Sequence, residues 1–77
     1  MNKGRRKRIN EAIDTLSEVQ SVIRDVYGEE QEAFDNLPGG IQNGERGEQM
    51  CEYIETLAEQ DSALDDIIGY LTEIAEG

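Results

Sequence analysis

Histidine and tryptophan are absent from the chain, and cysteine and proline occur once each. Without histidine no Ser-His-Asp or Cys-His nucleophile can be assembled, and the commonest metal ligand and proton shuttle is missing. One cysteine cannot close an internal disulfide, and no Asn-x-Ser/Thr acceptor occurs, so the composition suits a reducing cytoplasm. No apolar run approaches the length of a membrane span. The stretch Ile9 to Leu16 is broken by Asn10, Glu11, Asp14 and Thr15, unlike the core of a signal peptide. Seventy-seven residues allow one small domain with a thin core, of a kind that often needs a second chain to complete it.

Positive charge is also scarce: 7 Lys and Arg stand against 18 Asp and Glu, a net charge of −11. Five of the seven bases are Lys3, Arg5, Arg6, Lys7 and Arg8. From Ile9 onward only Arg24 and Arg46 remain, so the body carries −16. A surface of that sign repels the backbone of duplex DNA, which argues against a nucleic-acid-binding body. The basic head, residues 1–8, is expected to be a solvated, fraying first turn.

What is abundant is helical periodicity. In the first half Ile9, Ile13, Leu16, Gln20, Ile23, Tyr27, Glu30, Phe34 and Leu37 recur at alternating steps of four and three, and all but Gln20 and Glu30 are apolar. In the second half Met50, Ile54, Leu57, Asp61, Leu64, Ile68, Leu71 and Ala75 do the same, with Asp61 the one exception. This is the seam of an amphipathic, coiled-coil-like helix. Strand alternation fits neither half. Between them, Pro38 ends the first helix near Asn36. Gly39 and Gly40 suit a tight reversal, and Asn43 is a candidate N-cap for the second helix. Gly28 is a candidate kink. The expected layout is all-α: a basic head (1–8) and an antiparallel two-helix hairpin (9–77), with helix 1 at about 5–36, a turn at 37–44 and helix 2 at about 45–76.

Folding the halves about residues 40 and 41 makes facing positions add to about 80 or 81. Ile9 then faces Leu71, Ile13 faces Ile68, Leu16 faces Leu64, Ile23 faces Leu57, and Tyr27 faces Ile54. The same register sets Gln20 against Asp61 as a polar core layer, whereas a slip of one heptad would put both against hydrocarbon. Val19, Val22, Val26, Ile67 and Ile74 flank the stripe and would stay wet in a lone hairpin. They are the expected interface of a homo-oligomer, a dimer or larger, in which hairpins join into a helical bundle.

Candidate chemistry is sparse. Pairs such as Glu29 with Glu32, Glu52 with Glu55, and Asp61 with Asp65 have the spacing of magnesium-binding carboxylates, but a chain this acidic produces such pairs as ordinary solvated faces. No catalytic residue, metal site or cofactor is expected. Cys51 reads as a small half-buried residue with an ordinary thiol. The turn offers a possible anion site: Gly44 and Gly47 leave backbone N–H groups free beside Arg46 at a helix N-terminus. Arg24 would add a second charge, and Tyr27 and Tyr53 flat rings for stacking on a base.

The run Glu29-Glu-Gln-Glu-Ala-Phe-Asp-Asn-Leu-Pro38, followed by Glu45-Arg-Gly-Glu-Gln-Met50, resembles a group of small acidic helical proteins encoded by phages and mobile elements. The order of helix, Pro-containing turn, Arg-Gly-Glu and acidic helix is also similar to the phage helical-hairpin sponges that sequester cyclic nucleotide immune signals. These resemblances imply a non-enzymatic counter-defence protein in the cytoplasm of a bacterial host. One mechanism is sequestration of a nucleotide-like small molecule by Arg46, Arg24, Gly44, Gly47, Tyr27 and Tyr53 in pockets between hairpins. A second is an acidic surface that binds a host defence protein, in the manner of a DNA mimic. A third is a structural adaptor. The turn and the layout favour the first and the charge favours the second; sequestration is the expected function, with the acidic mimic and the adaptor as alternatives.

Overall fold

A computed structural model describes all 77 residues and contains three helices and no strand. Helix α1 spans Lys3–Asp35, α2 spans Gly39–Gln42, and α3 spans Glu45–Glu76. The two long helices lie along each other, and the molecule measures 58 × 14 × 13 Å. No helix is long and apolar enough to cross a membrane.

The basic head is the first part of α1, which begins two residues before its expected start, and all of it but Arg6 is exposed. Asn2 caps the helix by accepting the Arg5 N–H at 2.8 Å, and Lys and Arg are good helix formers. Five positive charges at a helix N-terminus oppose its dipole. The acidic C-terminal turn of α3, with Glu73 and Glu76, lies at the same end of the molecule and offsets them. Helix α1 also runs without a break through Gly28.

The connection differs from a simple reversal. Gly39 and Gly40 take no positive φ. With Ile41 and Gln42 they form α2, whose first carbonyl, that of Pro38, accepts the Ile41 and Gln42 N–H groups at 2.9 and 3.0 Å. Asn43 serves as the C-cap of α2, so it cannot also cap α3. The backbone extends at Gly44, which becomes the N-cap of α3 without a side-chain hydrogen bond. Glu45 and Glu48 then supply the negative charge that a first turn favours.

Every residue of both apolar stripes is buried or half-buried, including the polar members Gln20, Glu30 and Asp61. The fully buried set is nevertheless tiny: Met50, Ala75, Gln20 and Gly47. Two helices enclose a seam from two sides only, so most of the core keeps some contact with water. Lettering the heptad a to g puts the seam at a (Ile13, Gln20, Tyr27, Phe34; Ile54, Asp61, Ile68, Ala75) and at d (Ile9, Leu16, Ile23, Glu30; Met50, Leu57, Leu64, Leu71). The flanking residues Val19, Val22, Val26, Ile67 and Ile74 are all exposed.

Candidate functional site

The densest side-chain chemistry lies at mid-length, between α1 and α3. Gln20 Nε2 shares its two hydrogens among Asp61 O at 3.1 Å, Asp61 Oδ1 at 2.8 Å and Asp65 Oδ1 at 2.7 Å. Arg24 Nε donates to Asp61 Oδ1 at 2.9 Å, and its Nη2 reaches both carboxylate oxygens of Asp65 at 3.5 Å. Tyr27 donates its hydroxyl to Asp61 Oδ2 at 3.0 Å. The Asp61 side chain is only 13% exposed, against 51% for Arg24.

The convergence follows from the tilt of helical side chains toward their own N-terminus. Asp61 leans toward the turn, while Tyr27 and Arg24 lean away from it, so they meet although Tyr27 stands opposite Ile54 by residue count. Burial is the largest single influence on Asp61 and would raise its pKa. The hydrogen bonds from Arg24, Tyr27 and Gln20 together outweigh it and hold the carboxyl below its ordinary value. The same hydrogen bond to Asp61 is the main reason the Tyr27 phenol and the Arg24 guanidinium are each pushed above theirs. A carboxylate so occupied is a poor proton acceptor for a substrate. Asp65, expected to belong to a solvated acidic pair, is a working member of this cluster.

The six residues considered for ligand binding do not come together within one protomer. Arg24 and Tyr27 belong to the Asp61 cluster. Arg24 stands opposite residue 57, about 16 Å along the axis from Arg46 at 1.5 Å per residue. Arg46 is exposed, and both ion pairs of the molecule belong to Arg24. Gly44 has its N–H bonded to Ile41 O and its carbonyl to the Glu48 N–H, each at 3.1 Å. Gly47 is buried, and a Cβ there would lie 1.9 Å from the Gln42 carbonyl oxygen. Its glycine is therefore required for α2 to lie on α3, and its backbone is not open to a phosphate. Tyr53 lines a shallow groove of about 520 Å³ with Glu30, Glu52, Thr56 and Leu57, whose two carboxylates repel an anion.

Sequence reasoning overlooked Gln42. Its Nε2 donates to Phe34 O at 2.8 Å and so satisfies a carbonyl at the end of α1. No periodic signal marks such a residue. The acids, by contrast, follow a pattern that is plain once the heptad phase is known. From residue 11 onward every f position facing away from the seam is acidic and exposed: Glu11, Glu18, Asp25 and Glu32 on α1, and Glu45, Glu52, Glu59, Asp66 and Glu73 on α3. Two charged rows therefore run along the body of the molecule with a repeat of about 10.5 Å. No group of His, Cys, Asp or Glu is arranged to hold a metal ion. In comparisons with known proteins, the chain matches no family model, no curated protein and no solved structure.

Proposed function

We propose that the chain is a non-enzymatic binding protein that works as a homo-oligomer and presents its acidic rows to a basic face of a partner protein. The observation that carries this reading is the sorting of charge: in the body, from residue 11 onward, the f rows are wholly acidic, while Arg24, one of two bases there, is bound to Asp61. Magnitude supports a DNA-mimicking role. Two copies lying side by side would carry −22 along 58 Å, about one net charge per 2.6 Å, against roughly 1.7 Å for duplex DNA. A lone chain has half that density. The resemblance to phage and mobile-element proteins supplies the setting, the blocking of a host defence complex in the bacterial cytoplasm.

Sequestration of a nucleotide-like ligand is the second reading. It rests on Arg46, which is exposed and without an ion pair at the start of α3. It requires an oligomer to supply the remaining contacts, because Arg24, Tyr27 and Gly47 are occupied within the protomer.

Two measurements separate the readings. Protein purified from its host and heat-denatured releases no nucleotide under the first reading and an intact nucleotide under the second. Added to a defence protein bound to duplex DNA, it displaces the DNA. The variant Glu52→Gln, Glu59→Gln, Asp66→Gln, Glu73→Gln, folded by circular dichroism, does so poorly. Equal displacement by this variant would exclude the acidic rows as the working surface.

A further inference from the structure

One long side of the molecule differs from all the others. Arg24 and Asp65, both at e, bridge one flank of the seam, so in this antiparallel pair the g positions of both helices share the opposite flank, with the c positions beside them. Of nine exposed large hydrophobic residues, seven lie at these g and c positions, and Met1, just ahead of α1, adjoins Arg5 and Arg8 on the same face. Tyr70 is the most open at 68% and Val22 follows at 60%. Of the 18 acids, Glu29 alone is found there. The face also holds Arg5 and Arg8 at one end and Arg46 at the other. At 58 by 14 Å it offers about 800 Å² to a partner, the size of one side of a standard stable interface.

We infer that this face binds a second copy of the chain, the two lying antiparallel about a two-fold axis through Ala63, with Arg5 of each protomer against Glu29 of the other. This deepens the oligomer reading above and rests on it. An isologous contact must be self-complementary. When α1 is laid antiparallel on a copy of itself so that facing residue numbers add to 34, Arg5 meets Glu29, Ala12 meets Val22, and Thr15 meets Val19. Val22 and Val19 each find a smaller residue, Val26 falls against Arg8, and the only acid finds a base. A shift of seven residues sets Glu29 against Ala12, or Arg5 against Val22.

Helix α3 gives the same answer independently. Tyr53 meets Ile74, Gln60 meets Ile67, and Ala63 meets itself when facing numbers add to about 127. Through the register set by Gln20 and Asp61, that level corresponds to 35 on α1, within one residue of 34. Surface relief agrees as well. A groove of about 410 Å³ between Met1, Arg5, Arg8, Ile9 and Ala12 lies where the partner's Val26 falls. The Tyr53 groove lies where the partner's Tyr70 falls. Charge decides against the parallel alternative. It would bring two heads of five bases together at one end, whereas the antiparallel pair sets each head beside an acidic turn end.

Light scattering after size exclusion is expected to give about 17 kDa, twice the 8.6 kDa chain. Arg5→Glu and Glu29→Arg should each raise the dimer Kd about tenfold or more, because each dimer contains the pair twice, and combining them should restore it. Both sites are exposed, and Glu at a helix start agrees with the dipole, so the folds should survive. In a Cys51→Ala background, Ala63→Cys should oxidise to a covalent dimer, whereas Ser62→Cys, exposed but turned about 100° away around α3, should not. A wild-type monomer at every concentration would sink both this dimer and the oligomer reading. A dimer that ignores the charge exchange, and whose Ala63→Cys variant forms no cross-link, would leave self-association standing and overturn this arrangement.

Discussion

At mid-length, three side chains from α1 close on the single carboxylate of Asp61, and Asp65 beside it takes up what remains of Gln20 and Arg24. At the turn, side chains make few contacts and the backbone makes the structure. Gly47 lies under Gln42, Asn43 and Gly44 cap successive helices, and Arg46 stands free. Both regions are rich in polar residues, but only the first is enclosed by two helices. A carboxylate cut off from water requires partners, whereas an exposed arginine is satisfied by solvent. The comparison teaches that, of the two arginines beyond the basic head, Arg24 is structural and Arg46 is available, a distinction that residue type alone does not make.

The most damaging change should be at the turn. Gly47→Ala pushes a methyl into the Gln42 carbonyl and should cost about 3 kcal/mol, the upper range for overpacking, by chemical denaturation. A neutral result would mean that α2 does not rest on α3. At mid-length, Gln20→Ala removes the donor shared by Asp61 and Asp65 and should cost about 1–3 kcal/mol. Replacing Gln20 and Asp61 together by Leu should be milder than the single change, because the buried acceptor goes with its donor and only the Tyr27 hydroxyl and the half-exposed Arg24 are left to find water. Should the double variant be the worse of the two, the role of Gln20 has been misread.

Gly28→Ala is the control for Gly47. Nothing lies within 4 Å of its added methyl, so it should raise stability by roughly 0.5–1 kcal/mol.

Acid offers a subtler probe. The Asp61 pKa is lowered by folding, so its contribution is present above the unfolded carboxylate value of about 4 and lost as pH falls through the lower folded value. Acid also relieves the general self-repulsion of a chain whose net charge is −11. The telling quantity is therefore the difference between wild type and Asp61→Asn, which should shrink below pH ~4. For Tyr27, whose pKa is raised, the stabilisation is complete below about 10 and fades as pH rises through the higher folded value. Tyr27→Phe should remove that alkaline limb in a thermal melt. The smallest effect belongs to Arg46→Ala, which should move stability by no more than about 0.5 kcal/mol, as expected of an exposed side chain without an ion pair. A larger loss would show a partner within the chain.

The all-helical class, the two long helices and the half-buried seam are legible in the sequence, because hydrophobic periodicity is a local property repeated along some thirty residues in each half. Even the juxtaposition of Gln20 and Asp61 follows from matching two stripes about one turn. The short α2 was not legible. Four residues have no period, and two glycines read as a reversal until the Pro38 carbonyl is seen to accept two N–H groups. Nor did spacing reveal that Arg24 and Tyr27 belong with Asp61, since that depends on two antiparallel helices tilting their side chains past each other. Tertiary structure alone decided which glycine is indispensable and which arginine is free. Both depend on how closely one backbone approaches another, a distance set by the fold and not written at any single position.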